Sequence, residues 1–116
     1  MREGLSVRDM VRGIQREMRD SVDLLPDRAA EMLNQATALL GNVLDELRAA
    51  DMDYKRILLH CLRTAEKANR AKIEAETSPQ FARFQEARDM KVLTVEMIHS
   101  LKAFLRSKQE EMRLSR

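Results

Sequence analysis

The 116-residue sequence contains no Trp, one Cys, two Pro and three Gly, and aromatic residues make up only 3% of it. The single cysteine, Cys61, excludes an intrachain disulfide and a zinc site built on several cysteines. Proline and glycine most often interrupt helices, so their scarcity favours long helices. Without Trp, the core has to be built from Leu, Met, Ala, Val and Ile. These absences predict an all-α protein.

Long apolar runs are also missing. The longest covers the three residues 57–59, far below the ~20 residues needed to cross a bilayer. The N-terminal segment MREGLSVRDM lacks the apolar stretch of a signal peptide. We therefore expect a soluble, intracellular protein of the cytoplasm that has no membrane partner. Hydrophobic residues still reach 44%, which is too many for a disordered chain.

Apolar residues recur at alternating spacings of three and four, the heptad pattern of packed helices. Ser6 and Asp9 have the spacing of a capping box. Pro26 ends this first helix, because the residue before a proline avoids the α conformation. The pattern then continues in phase over residues 26–76. Two interpretations stay open there: one long helix, or two helices broken near residues 51–53, where an aspartate could cap the second.

Ser78 and Pro79 mark the start of the last helix, since serine is a good N-cap and proline a good first helical residue. We predict helices over residues 6–25, 26–76 and 79–114, within a single domain of residues 1–116. The predicted fold class is all-α, with long antiparallel helices that form a helical bundle or coiled-coil-like assembly.

Two short segments, residues 57–62 and 92–98, are apolar around nearly the whole helix. A helix that is apolar on all sides needs burial on all sides, and three or four helices of one chain can hardly provide it twice. We therefore expect a homo-oligomer, although a central helix in a monomeric bundle would also explain the pattern. The residues expected at the interface are Leu33, Leu40, Leu47, Ile57, Leu59, Leu93, Met97 and Leu101.

The sequence shows no pattern typical of a catalytic or metal site. His60 and His99 are the only histidines, and only His99 has an acid three residues before it, Glu96. A di-iron bundle needs that pair twice. Cys61 falls on the heptad seam, where a thiol behaves as a small hydrophobe. We therefore predict a protein that is not an enzyme and has no catalytic residues, cofactor or metal.

A basic stripe is the clearest chemical signal. Arg56, His60, Arg63, Lys67 and Arg70 follow one another at spacings of three and four along the third helical segment, residues 53–76. Permanent cations at this spacing could meet successive phosphates, although no aromatic residues are interleaved to stack on bases. Residues 1–52 carry a net charge of −3 and residues 53–116 one of +5, so the stripe could instead pair with the acidic half.

Two functional hypotheses follow. The first is a non-enzymatic, self-associating helical bundle that acts as an assembly or adaptor subunit. The overall pattern resembles small all-helical proteins of phages and mobile elements that form rings or scaffolds, and small helical subunits of RNA-guided complexes. The resemblance implies a subunit of such a complex, whose partner is itself or another protein. The second hypothesis is a helical subunit that binds the nucleic-acid backbone without sequence preference through Arg56, Arg63, Lys67 and Arg70.

Overall fold

The computed structural model describes residues 6–115, which form four α-helices and contain no strand. The helices are α1 (Val7–Asp20), α2 (Pro26–Thr64), α3 (Ala68–Glu76) and α4 (Pro79–Leu114). The prediction of an all-α fold is therefore confirmed. Within residues 6–115, no helix combines the length and the apolar character that crossing a membrane requires.

The helices begin where the sequence places their caps. The Ser6 side chain accepts a hydrogen bond from the N–H of Asp9 at 3.1 Å, and the Ser78 hydroxyl accepts one from the N–H of Phe81 at 3.2 Å. Each cap satisfies a backbone N–H that has no partner inside its helix. α2 begins at Pro26 and α4 runs from Pro79 to Leu114, the predicted positions.

α1 ends five residues before the predicted boundary. Ser21 has extended backbone angles, and its N–H donates to the carbonyl of Glu17 at 3.0 Å. Leu25 precedes a proline and so avoids the α conformation, and Ser, Val and Asp are weak helix formers. Residues 21–25 consequently connect α1 to α2 instead of adding another helical turn.

α2 passes through Asp51 and Asp53 without a break, so the first of the two interpretations holds at this point. Asp51 accepts a hydrogen bond from Lys55 Nζ at 2.9 Å, and Asp53 accepts one from Arg83 Nη1 at 2.6 Å. Because both carboxylates bind cationic side chains, they do not compete for the helix backbone as unpaired aspartates do.

The helix break lies instead at residues 65–67, where the heptad pattern predicts a continuous helix. The Thr64 hydroxyl donates to the carbonyl of His60 at 3.0 Å, a contact that often bends helices. After the break, α3 packs Ala71 and Ala75 in one cluster with Cys61. Packing between helices therefore overrides the local pattern here.

The described chain is grouped into two compact units. Of the described residues, the first contains those up to Asn42 and those from Val92 onward, and the second contains Val43–Lys91, so α2 and α4 each contribute to both. The first unit buries Val11, Ile14, Ala29, Met32, Ala36, Leu39, Thr94, Met97, Ile98 and Leu101. The second buries Val43, Ala50, Cys61, Ala71, Ala75, Ala87 and Met90.

Within the second unit, α2 and α4 run antiparallel. Leu44, early in this part of α2, lines a groove with Arg88 of α4. Tyr54, ten residues further along α2, contacts Phe81, which precedes Arg88 in α4. Moving forward along α2 therefore means moving backward along α4, in agreement with the antiparallel helices of the predicted fold class.

Candidate interaction surfaces

Arg83 links α4 to α2 within the second unit. Its Nε and Nη2 donate to the two carboxylate oxygens of Glu46 at 3.1 and 2.7 Å, and its Nη1 donates to Asp53 at 2.6 Å. The hydrogen bonds from Arg83 lower the pKa of Glu46, although partial burial opposes the shift. The bonded carboxylates raise the pKa of Arg83, Glu46 foremost. Both shifts favour the charged forms of Glu46 and Arg83, as an ion pair between two helices requires.

Arg28 has the same role in the first unit, between α1 and α2. Its Nε and Nη2 donate to both oxygens of Glu17, and its Nη1 donates to Glu31 at 2.9 Å. The hydrogen bonds from Arg28 lower the pKa of Glu17, and those to Glu17 and Glu31 raise the pKa of Arg28. Such two-pronged arginine–carboxylate contacts fix geometry as well as charge.

The aromatic residues of the second unit pack against one another. Tyr54 lies with its ring centroid 4.8 Å from that of Phe81 and 5.6 Å from that of Phe84. Burial raises the pKa of the Tyr54 hydroxyl, and the charge of Glu76 adds to the effect. Arg88 lies 5.5 Å over the Phe84 ring. These rings pack between α2 and α4, so they do not form an exposed aromatic surface on which bases could stack.

The candidate reactive side chains are not brought together. His60 and His99 are exposed, on α2 and α4, while Cys61 is buried beside Ala71. Among residues 6–115, no group of three or more His, Cys, Asp and Glu side chains lies close enough to hold a metal ion.

A mainly apolar groove of about 700 Å³ lies between α1 and α2 in the first unit and is lined by Met10, Gly13, Ile14 and Leu39 among others. Its charged groups are Asp9, Arg16, Glu17 and Arg28, of which Glu17 and Arg28 bind each other. The apolar part of the lining suits an apolar group.

The helix break divides the predicted basic stripe. Arg56 and Arg63 lie on α2, Lys67 in the connection and Arg70 on α3, so the four cations do not follow one straight helix face. Arg56 donates to Asp53 at 3.3 Å. Arg63, Lys67 and Arg70 are exposed and form no ion pair with any residue from 6 to 115. Three of the four predicted contacts to phosphate are therefore open to a ligand.

The residues predicted for a subunit interface lie in different environments. Met97 and Leu101 are buried within the first unit, and Ile57 packs against the Cys61 cluster. Leu59, by contrast, is exposed. Partial burial is found for Leu33, Leu40, Leu47 and Leu93. Most of the apolar surface predicted for an interface is therefore used inside the chain.

Three apolar side chains are left exposed on one side of α2, and we call them the α2 patch: Met52, Leu59 and Leu62. They are 50%, 48% and 47% exposed. Their spacings of seven and three residues, two helical turns and one, place them on one helix face.

Comparison of the chain with known protein families, with curated proteins and with solved structures finds no match. The chemistry of the exposed side chains therefore carries the functional proposal.

Two further exposed apolar residues, Val22 and Leu25, lie in the connection between α1 and α2. The heptad pattern includes Leu25 as the last position of a longer first helix, so it predicts a packed side chain where the structure has an exposed one. A signal was nevertheless present. The connection contains Asp23 and is flanked by Asp20 at the end of α1 and Asp27 at the start of α2, with no Lys or Arg between them, which is unusual for a segment that packs into a core.

Proposed function

We propose that the protein is a non-enzymatic assembly or adaptor subunit that associates with further copies of itself through the α2 patch. The observation that carries the proposal is the co-facial exposure of Met52, Leu59 and Leu62 on one helix. The resemblance to helical phage and mobile-element proteins that form rings or scaffolds implies a role of this kind.

The composition of this helix face supports the proposal. Isolated exposed apolar residues are normal on a protein surface, whereas a group rimmed by polar residues is typical of an interface. Here the polar residues are Lys55, Arg56 and Arg63, which are exposed and lie three or four residues from Leu59 on α2. Fully burying a Leu or Met side chain contributes roughly 1.5–3 kcal/mol, so covering the exposed halves of three such side chains contributes roughly 2–4 kcal/mol.

The test is Leu59→Glu. The side chain lies outside the buried cluster of the second unit, so we expect the variant to keep its helicity. Association would have to desolvate the new carboxylate and would lose the apolar surface of the leucine, so the mass of the variant in solution should fall relative to the wild type. Light scattering at tens of micromolar measures that mass, and circular dichroism measures the helicity.

Met112→Glu is the matched control, because Met112 is also exposed but lies near the end of α4, outside the patch. It should keep the wild-type mass. A wild-type mass of 13.4 kDa, that of one chain, would contradict self-association. Unfolding of the Leu59→Glu variant would instead identify Leu59 as a core residue.

Nucleic-acid binding is the second candidate function, and one observation favours it: Arg63, Lys67 and Arg70 are exposed and unpaired within the described chain. Side chains of this kind can neutralise phosphates whatever the base sequence. Binding of the wild type to a labelled duplex and to a single strand at low salt separates the two functions. If the wild type binds neither the duplex nor the single strand, only the assembly role remains as a candidate function.

A further inference from the structure

The connection between α1 and α2 combines exposed apolar and acidic side chains. Val22 is 94% exposed and Leu25 67%. Residues 20–27, which we call the acidic loop, contain three exposed aspartates, Asp20, Asp23 and Asp27, and no Lys or Arg. Asp20 binds Arg19 at 3.0 Å, and Lys108 of α4 lines a groove with Val22, Asp23 and Leu25, while Asp23 and Asp27 form no ion pair among residues 6–115. The loop therefore keeps an excess of negative charge beside its aliphatic side chains, which fits a partner with aliphatic side chains and the opposite charge.

The region around the α2 patch has that composition. Residues 55–73 contain six Lys or Arg and a single acid, Glu66. Two of the six, Lys55 and Arg56, bind aspartates of α2, while Arg63 and Arg70 have no carboxylate partner among residues 6–115.

We propose that the acidic loop of one copy docks on the α2 patch of a second copy. Val22 and Leu25 would cover Leu59 and Leu62, while the aspartates of the loop face Arg63 and neighbouring cations. The inference rests on the proposed self-association and names the surface that completes it. The nucleic-acid backbone fits the cations of this region, but it offers nothing to cover the exposed leucines.

A symmetric contact between two α2 patches is less favourable. It would bring Arg56 and Arg63 of one copy against the same residues of the other, and like charges at an interface oppose association. The acidic loop supplies both the missing apolar groups and the opposite charge. Because each copy has one loop and one patch, the contact is heterologous and can repeat from copy to copy, giving a ring where the rotation closes and a filament where it does not.

Charge reversal tests the pairing. The loop variant Asp20→Lys with Asp23→Lys should fold, since a cation is favourable at the end of α1. The patch variant is Arg63→Glu with Arg70→Glu. The acid at position 63 interacts unfavourably with the dipole at the end of α2, and the acid at position 70 interacts favourably with the dipole at the start of α3, so the two effects on stability offset each other. Each variant alone should associate at least about tenfold more weakly than the wild type.

The equimolar mixture of the two variants gives the sharper result. The reversed loop of one variant meets the reversed patch of the other, and the two unchanged surfaces also match, so mixing should restore the wild-type mass in light scattering. The control Lys102→Glu with Arg106→Glu changes the charge by the same amount at exposed positions of α4 and should associate like the wild type.

Restoration on mixing supports the contact between loop and patch. The proposal is overturned if the loop variant and the patch variant both associate weakly and mixing them does not restore the wild-type mass. It is also overturned if both variants keep the wild-type mass. If Leu59→Glu lowers the mass while neither charge variant does, the proposed function stands and this pairing is wrong. A wild type with the mass of one chain overturns both. If the patch variant keeps the wild-type mass but no longer binds a labelled duplex, Arg63 and Arg70 contact nucleic acid and not a second copy.

Discussion

Individual charged residues have two different roles in this protein. Arg28 and Arg83 each bind a carboxylate of another helix through two nitrogens and thereby hold helices together. Arg63 and Arg70 have no such partner among residues 6–115 and face solvent. The same type of side chain is thus structural in one place and available for binding in the other.

The ion pair between Glu46 and Arg83 predicts a pH-dependent contribution to stability. The pKa of Glu46 is lower in the folded chain than its ordinary value of 4.5, so the pair stabilises the fold above that pH and loses its effect as the pH falls through the lowered pKa. Both side chains are partly exposed, so after allowing for solvent screening we expect Glu46→Gln to cost about 0.5–1 kcal/mol at pH 7.

Urea denaturation at pH 7 and at about pH 2.5 measures this difference, which should be smaller at the lower pH because the stabilisation is lost progressively below the ordinary pKa of 4.5. Asp45→Asn is the control, since the pair between Asp45 and Arg48 lies within one helix and is largely exposed. It should change the free energy of unfolding little at either pH. An equal loss at both pH values for Glu46→Gln would mean that the carboxylate charge is not responsible.

Among the helices, α2 is the longest, with 39 residues, and it contains Gly41 in its interior. A methyl group added at position 41 would meet no heavy atom within 4 Å. Glycine costs about 1 kcal/mol relative to alanine inside a helix. Gly41→Ala should therefore raise the free energy of unfolding by about 1 kcal/mol and the Tm by several degrees.

Thermal denaturation followed by circular dichroism tests this, and Ala49→Gly, the reverse change at an exposed position of the same helix, should lower the Tm by a similar amount. A lower Tm for Gly41→Ala would show that another helix approaches α2 closely at this glycine.

Features of the helices that depend on local chemistry were predictable. The caps at Ser6 and Ser78 need only a few neighbouring residues, and the seam positions Val43 and Leu101 follow from helical periodicity. The break at residues 65–67 and the link from Arg83 to Glu46 depend on segments that meet only after folding, the latter across 37 positions. The α2 patch was predictable only in part, because periodicity identifies apolar positions but not which of them stay exposed.

At the scale of the whole molecule, charge is separated along the chain but not between the compact units. Residues 1–52 carry −3 and residues 53–116 carry +5, yet the first unit contains 11 Lys and Arg with 10 Asp and Glu, and the second contains 10 and 9. The basic end of α4 belongs to the same unit as α1, so each unit has a net charge of +1. Any binding of a polyanion must therefore come from local groups of cations.

This balance predicts the salt dependence of nucleic-acid binding, if the second candidate function is correct. Three unpaired cations, each neutralising a phosphate at ~0.9 per contact, give a slope of about −3 in a plot of log affinity against log salt concentration. Arg63→Ala with Lys67→Ala should flatten the slope by roughly 2 and weaken binding to all sequences alike, while helicity is kept.

Fluorescence anisotropy with a labelled duplex across a salt series gives the slope, and Lys102→Ala with Arg106→Ala is the control at exposed positions of α4. A slope that the double variant leaves unchanged would show that other residues contact the phosphates.

Tyr54 can serve as an intrinsic fluorescence probe of the second unit. There is no Trp and only one Tyr, so the tyrosine emission of the protein comes from a single ring, which lies against Phe81 and Phe84 in the second unit. A change in that emission on heating reports the loosening of this unit alone, whereas far-ultraviolet dichroism averages over all four helices. Coincident melting curves would show that the two units unfold as one cooperative body, and separated curves would give each unit its own transition.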